Sequence, residues 1–79
     1  MVDAYVLIQA EPGKAGRDVS RSVASVRGIL AAQDVSGPYD VIARAQASNL
    51  DQLMKVVVGR IQAIEGVMRT LVCPVVSLS

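Results

Sequence analysis

The chain contains no histidine, tryptophan or phenylalanine, and its only aromatic residues are Tyr5 and Tyr39. Without histidine it lacks the commonest general base at neutral pH and the commonest metal ligand. With two tyrosines it cannot build an aromatic-lined pocket, and Tyr5 reads as packing surface, not as a platform for stacked bases. The single cysteine, Cys73, excludes an internal disulfide and fits a reducing compartment. It stands in an apolar stretch with no cationic neighbour, which reads as a buried structural thiol and not as a nucleophile. No apolar run approaches the roughly 18 residues of a membrane span, and Asp3 interrupts the N-terminus before a signal-peptide core develops. A cytoplasmic location is therefore expected. The eight basic residues are scattered from Lys14 to Arg69 at a net charge of +1, so the electrostatic footprint of a nucleic-acid binder is missing. No metal-ligand spacing and no cofactor motif is present, and Pro12-Gly13-Lys14 reads as a strand-to-helix turn instead of a phosphate loop.

What the chain has in excess is aliphatic surface. Hydrophobic residues make up 52% of it and charged residues 19%, against roughly 45–50% and 25% in ordinary domains. Its 79 residues make one small domain, of a size that buries little more than about 60% of its unfolded surface. More apolar surface than one core needs, in a domain that is marginal alone, predicts association with a partner subunit.

Ala4 to Ala10 alternates as a strand with both faces largely apolar, Ala4, Val6, Ile8 and Ala10 on one and Tyr5, Leu7 and Gln9 on the other. Glu11-Pro12-Gly13 breaks it, and Ala15, Val19, Val23 and Val26 recur as the stripe of a helix stopped by Gly28. Ile29 to Val35 and Val41 to Ala47 read as a hairpin pair. Ser48 is the expected N-cap of a second helix with Asp51 completing a capping box, and Leu50, Leu53, Met54, Val57, Ile61 and Ile64 form its stripe. Gly66 ends that helix, and Val67 to Leu78 is the expected last strand.

The segments Val23 to Ile29 and Ile61 to Val67 share one pattern: β-branched, two spacers, β-branched, charge, glycine, β-branched. The chain thus reads as two βαβ units joined by a reversal, the α+β, ferredoxin-like βαββαβ fold. It predicts a four-stranded antiparallel sheet of order 4-1-3-2 with two helices on one face. Pro74, which cannot donate to a ladder, suits the edge position of strand four. The uncovered face, with Tyr5, Leu7, Leu30 and Ile42 or their neighbours, is the expected dimerisation surface.

At the seam between the halves lies Ser36-Gly37-Pro38-Tyr39-Asp40. Proline followed by tyrosine predicts a type I turn over Gly37 to Asp40, since type II would force φ > 0 on Tyr39. Asp40 has two readings: a turn residue bonding backbone amides, or a carboxylate that receives a ligand ammonium beside glycine amides. Thr70 offers a hydroxyl near the start of the last strand, or is a strand residue of high β-propensity.

Taken in order, Ala4-Tyr5-Val6-Leu7-Ile8, the Pro12-Gly13 break, Gly37-x-Tyr39-Asp40 and Gly66-Val67-x-x-Thr70 resemble the effector-binding (RAM) domain of the Lrp/AsnC family over nearly the whole chain. The resemblance implies a non-enzymatic domain that dimerises through its sheets, assembles into higher oligomers and binds an amino acid or related small molecule between subunits. Carried over, Ser36, Gly37, Tyr39, Asp40, Met68 and Thr70 would line that site, without metal or cofactor. The family often places a second threonine two residues after Thr70, where this chain has Val72. The expectation is a single domain over residues 1–79 with no DNA-binding domain, acting with DNA-binding relatives and not on nucleic acid or membrane directly. Two other classes share the topology: a small α+β-barrel enzyme of the monooxygenase type, and a ligand-free oligomerisation domain or an ACT-like domain.

Overall fold

A computed structural model describes residues 1–13 and 16–76. Strand β1 (Val2–Ala10) is followed by helix α1 (Gly16–Ala24), strands β2 (Ile29–Asp34) and β3 (Val41–Ala47), helix α2 over residues 50–62, and strand β4 (Val67–Pro74). The sheet order is β2-β3-β1-β4, all antiparallel, so each half's second strand pairs with the other half's first. This is the expected 4-1-3-2 order read from the other edge, with Pro74 on the edge strand. Val75 and Val76 carry no strand, and the expected continuation to Leu78, like the stripe residue Ala15, lies outside the described residues.

Period-two alternation decides what the helices cover. Ala4, Val6 and Ile8 of β1 and Val41, Ala43 and Ala45 of β3 are fully buried, and Val19 and Val23 of α1 and Leu53, Val57 and Ile61 of α2 are buried with them. The alanines of the two central strands are short, which lets both helices sit close to the sheet. Each fully buried Ile, Leu or Val contributes about 1.5–3 kcal/mol of transfer free energy.

Helix α2 departs from its expected stripe. A π-helical segment, Leu53–Val58, lies between α-helical turns Leu50–Gln52 and Gly59–Gln62. Its i→i+5 bonding widens the turn, so the neighbours Val57 and Val58 are both buried while Leu50 and Met54 remain 50% and 45% exposed. Met54, expected in the core, is therefore a surface residue. Three consecutive valines, poor helix formers, occupy the segment. The N-cap is Asn49 and not Ser48: its backbone is extended and its side-chain oxygen accepts the Gln52 N–H at 2.8 Å. Asp51 instead pairs with Lys55 one turn on, at 3.2 Å on the open surface.

The internal repeat is visible in backbone detail. The Val26 and Ile29 amides donate to Val23 and Val26 carbonyls (3.0 and 3.0 Å), and the Ile64 and Val67 amides donate to Ile61 and Ile64 (3.1 and 3.2 Å). Gly28 and Gly66 follow at φ 102° and 96°, a region L side chains avoid. Each glycine carbonyl accepts a bond from the other half, Gly28 from the Gln46 N–H and Gly66 from the Glu11 N–H, both at 2.8 Å. A register shift next to each glycine then leaves one unpaired residue, Leu30 in β2 and Met68 in β4, 55% and 48% exposed.

Candidate functional site

The link between the halves is wider than the expected type I turn. The loop from Val35 to Asp40 is closed by the Val35 N–H donating to the Asp40 carbonyl at 2.9 Å, and no hydrogen bond spans Gly37 to Asp40. Tyr39 keeps a negative φ, as its Cβ requires. What fixes the loop is β1: the Asp40 N–H donates to the Ile8 carbonyl at 2.9 Å, and the Ala10 N–H donates to Asp40 Oδ2 at 2.7 Å. A charged acceptor on a half-buried amide is worth about 1.5–3 kcal/mol. Asp40 thus does bond backbone, but across the fold instead of within its own turn.

This bond ties the loop to the end of β1, and the β1–β4 pairing sets Met68 and Thr70 at that same end of the sheet. Thr70 pairs with Ile8 on the opposite side of β1 from the loop, two strand spacings or roughly 10 Å away. It is half-buried, and its Oγ1 accepts from Gln62 Nε2 at 3.1 Å, which leaves the hydroxyl proton to be donated elsewhere. Met68 is the bulged residue beside the β1 terminus. Tyr39 and Asp40 are half-buried, whereas Ser36, Gly37 and Pro38 are exposed, and a Cβ placed on Gly37 would meet nothing within 4 Å. Ser36 and Gly37 therefore stand at an open loop tip, and no hydrogen bond joins them to Met68 or Thr70 among the described residues. Val72 is half-buried and packs against the core. Ala10 and Gln62, which hold Asp40 and Thr70 in place, carry no signal in the sequence, since one contributes only its amide and the other is a surface helix residue.

The face away from the helices is open. Cross-strand neighbours form two rows over it: Arg44, Tyr5 and Cys73, then Ile42, Leu7 and Leu71. Cys73 is exposed, not buried: on an edge strand with both faces apolar, composition does not settle which face a residue takes. The open face combines apolar side chains at its centre with polar groups around them, among them a Gln46 Nε2 bond to Asp3 Oδ1 at 3.1 Å. No helix is long and apolar enough to cross a membrane among the described residues.

Comparison with known proteins accounts for this arrangement. Residues 3–78 match the Lrp/AsnC ligand binding domain. An uncharacterized HTH-type transcriptional regulator of Pyrococcus furiosus is 29% identical over 69 residues, 85% of this chain and 46% of the relative. A counterpart in Pyrococcus horikoshii matches to the same extent, 29% over 69 residues. The chain thus spans about half the length of the curated relatives it matches. A crystal structure of a protein from Thermus thermophilus superposes with a TM-score of 0.88 at 28% identity, covering 100% of this chain and 98% of that one. Escherichia coli AsnC superposes at 0.86 and 19% identity over 98% of this chain and 52% of its own, a likeness of fold. A Neisseria meningitidis regulator solved as its L-Met complex does so at 0.82 and 17% identity, over 96% of this chain and 50% of its own. With the family match running over nearly every residue, and the split βαβ sheet behind it, the chain belongs to the Lrp/AsnC ligand-binding domain family.

Proposed function

We propose that this domain is a non-catalytic effector module: it binds an amino acid or closely related molecule at the Asp40 end of the sheet and assembles through its open face. The observation that carries the reading is the Asp40 bond to the Ala10 amide, which ties the loop to the end of β1, where the β1–β4 pairing also sets the start of β4. One carboxylate oxygen holds the scaffold, and the other is the acceptor for a ligand ammonium. Amides at Gly37 and its neighbours receive the ligand carboxylate, and the Thr70 hydroxyl, across β1 from the loop, offers a polar contact to another part of the ligand. The regulator solved with L-Met supports an amino acid as the ligand class.

Face-to-face pairing of two copies covers Tyr5, Leu7, Ile42 and Leu71. It seats the loop tip, open in a single copy, against a neighbouring subunit. The HTH-type relatives support a regulatory setting for the domain; co-assembly with DNA-binding members of the family, changed when ligand binds, is the further role of this proposal. A thermal-shift screen against the proteinogenic amino acids, beginning with L-methionine, tests the reading. At about 100 times its Kd a true ligand adds about 2.7 kcal/mol, a shift of roughly 10 °C or more for a domain this small. A flat screen, with sedimentation showing a monomer at micromolar concentration, would reject both parts of it.

A further inference from the structure

At the end of the sheet remote from Asp40, the turn after α1 faces the first turns of α2 across a groove of about 390 Å³. That volume lies within the range of small-molecule sites. Arg27, Gly28 and Leu30 line it from one half, and Ser48, Gln52 and Val56 from the other. Gly28 closes its inner end so tightly that a Cβ there would stand 2.9 Å from Val57 Cγ2. Three polar side chains around it are unspent among the described residues: Arg27 has no acidic partner, and the side chains of Ser48 and Gln52 make no hydrogen bond within the chain, whereas Gln46, also on its wall, already donates to Asp3 Oδ1. Leu30, unpaired at its bulge, is 55% exposed beside them.

The repeat supplies a second argument. Gly28 and Leu30 are the counterparts of Gly66 and Met68, so the groove is built on the same turn and the same bulge as the Asp40 end. At the position before the glycine, however, the first half has Arg27 and the second has Glu65. The scaffold is repeated and the sign of the charge is reversed.

We infer that the Arg27 groove is a second small-molecule site, specific for a short-chain organic carboxylate with a branched aliphatic tail. The Arg27 guanidinium receives the carboxylate through two parallel N–H donors, a geometry an ammonium does not offer. Leu30 and Val56 take the tail. The Ser48 hydroxyl and the Gln52 amide lie on the opposite wall to receive an oxygen on the carbon next to the carboxylate, as in a 2-oxo or 2-hydroxy acid. This site does not depend on the reading of the Asp40 end.

The test is a titration of the isotopically labelled chain, followed by amide resonances, with 3-methyl-2-oxobutanoate and with the neutral ketone 3-methyl-2-butanone. The oxo acid is expected to move the amides of Gly28, Leu30, Ser48 and Gln52 saturably, and the ketone to leave them in place. Arg27→Gln should weaken binding at least about tenfold and Arg27→Lys by less, since lysine keeps the charge without the fork. Arg27 is exposed in a turn, so both variants should keep the native spectrum, which the same experiment reads. The inference is overturned if these amides stay still at tens of millimolar oxo acid, if the ketone moves them equally, or if Arg27→Gln leaves the affinity unchanged. Movement confined to Tyr39, Asp40 and Thr70 would likewise overturn it, by assigning the acid to the other end.

Discussion

In both halves of the chain a strand leads into a helix whose last turn closes with the same pair of backbone bonds, on Gly28 in the first half and Gly66 in the second. The shared parts are backbone: a positive-φ glycine, a carbonyl given to the other half's strand, and a bulge that turns Leu30 or Met68 outward. The parts that differ are side chains. Arg27 is replaced by Glu65, and a regular α1 by a π-bearing α2. One link is stitched to β1 by a carboxylate, and the other is capped by Asn49. Repetition fixed the passage from helix to strand, and the divergent residues stand at the two ends of the sheet.

The first of the two matching turns is most vulnerable at Gly28. Gly28→Ala places a Cβ at positive φ, about 1–2 kcal/mol, and against Val57 and the Gln46 carbonyl, a further 1–3 or so. A loss of about 2–5 kcal/mol is expected in urea unfolding with an unchanged slope. Val57→Ala on the same background should recover part of it, a coupling of about 0.5–3 kcal/mol. Strict additivity of the two would mean that the glycine serves φ alone.

The stitch of the central link comes next in size. Asp40→Ala leaves the Ala10 amide without its acceptor and should cost about 1.5–3 kcal/mol. Asp40→Asn keeps an acceptor oxygen and should cost less in stability while losing ligand affinity, about 10- to 150-fold for a charge-assisted contact of that strength. If Asp40→Asn binds ligand as well as the parent chain, the carboxylate is a scaffold group only.

The cap of the other link is smaller still. Asn49→Ala should cost about 1 kcal/mol and Ser48→Ala under about 0.5. The reverse order, measured by the same denaturation, would restore Ser48 as the cap. Lys55→Ala, which removes only the exposed partner of Asp51, should change stability by no more than about 0.5 kcal/mol.

Much of this architecture was legible because it rests on periods and stops that one residue's neighbours declare. The limits of β3, the stripe of Val19 and Val23, the two glycine turns and the edge place of Pro74 are all of that kind. The misreadings concern choices settled by distant atoms. Ser48 and Asn49 are both competent caps, and only the direction in which the chain leaves β3 selects between them. The π segment follows from packing Val57 and Val58 together against the sheet, which no helical periodicity announces. The loop closure depends on a bond between residues 10 and 40, so turn propensity at Pro38 and Tyr39 described only a local preference. Of the candidate site, the residues themselves pointed to Asp40 and Thr70, and the family resemblance added Ser36, Gly37, Tyr39 and Met68. Neither indicated that Asp40 would hold the end of β1 or that Gln62 would bond Thr70.

Where an amino acid lands on the domain decides whether the Asp40 end is the effector site. Amide resonances of the labelled chain, titrated with L-methionine and then with each other proteinogenic amino acid, report this residue by residue. The prediction is that at least one of them moves Gly37, Tyr39, Asp40, Met68 and Thr70 together, saturably, with Asp40→Asn weakening the effect. If none moves them, or if the shifts gather elsewhere on the molecule, the Asp40 end is not the effector site.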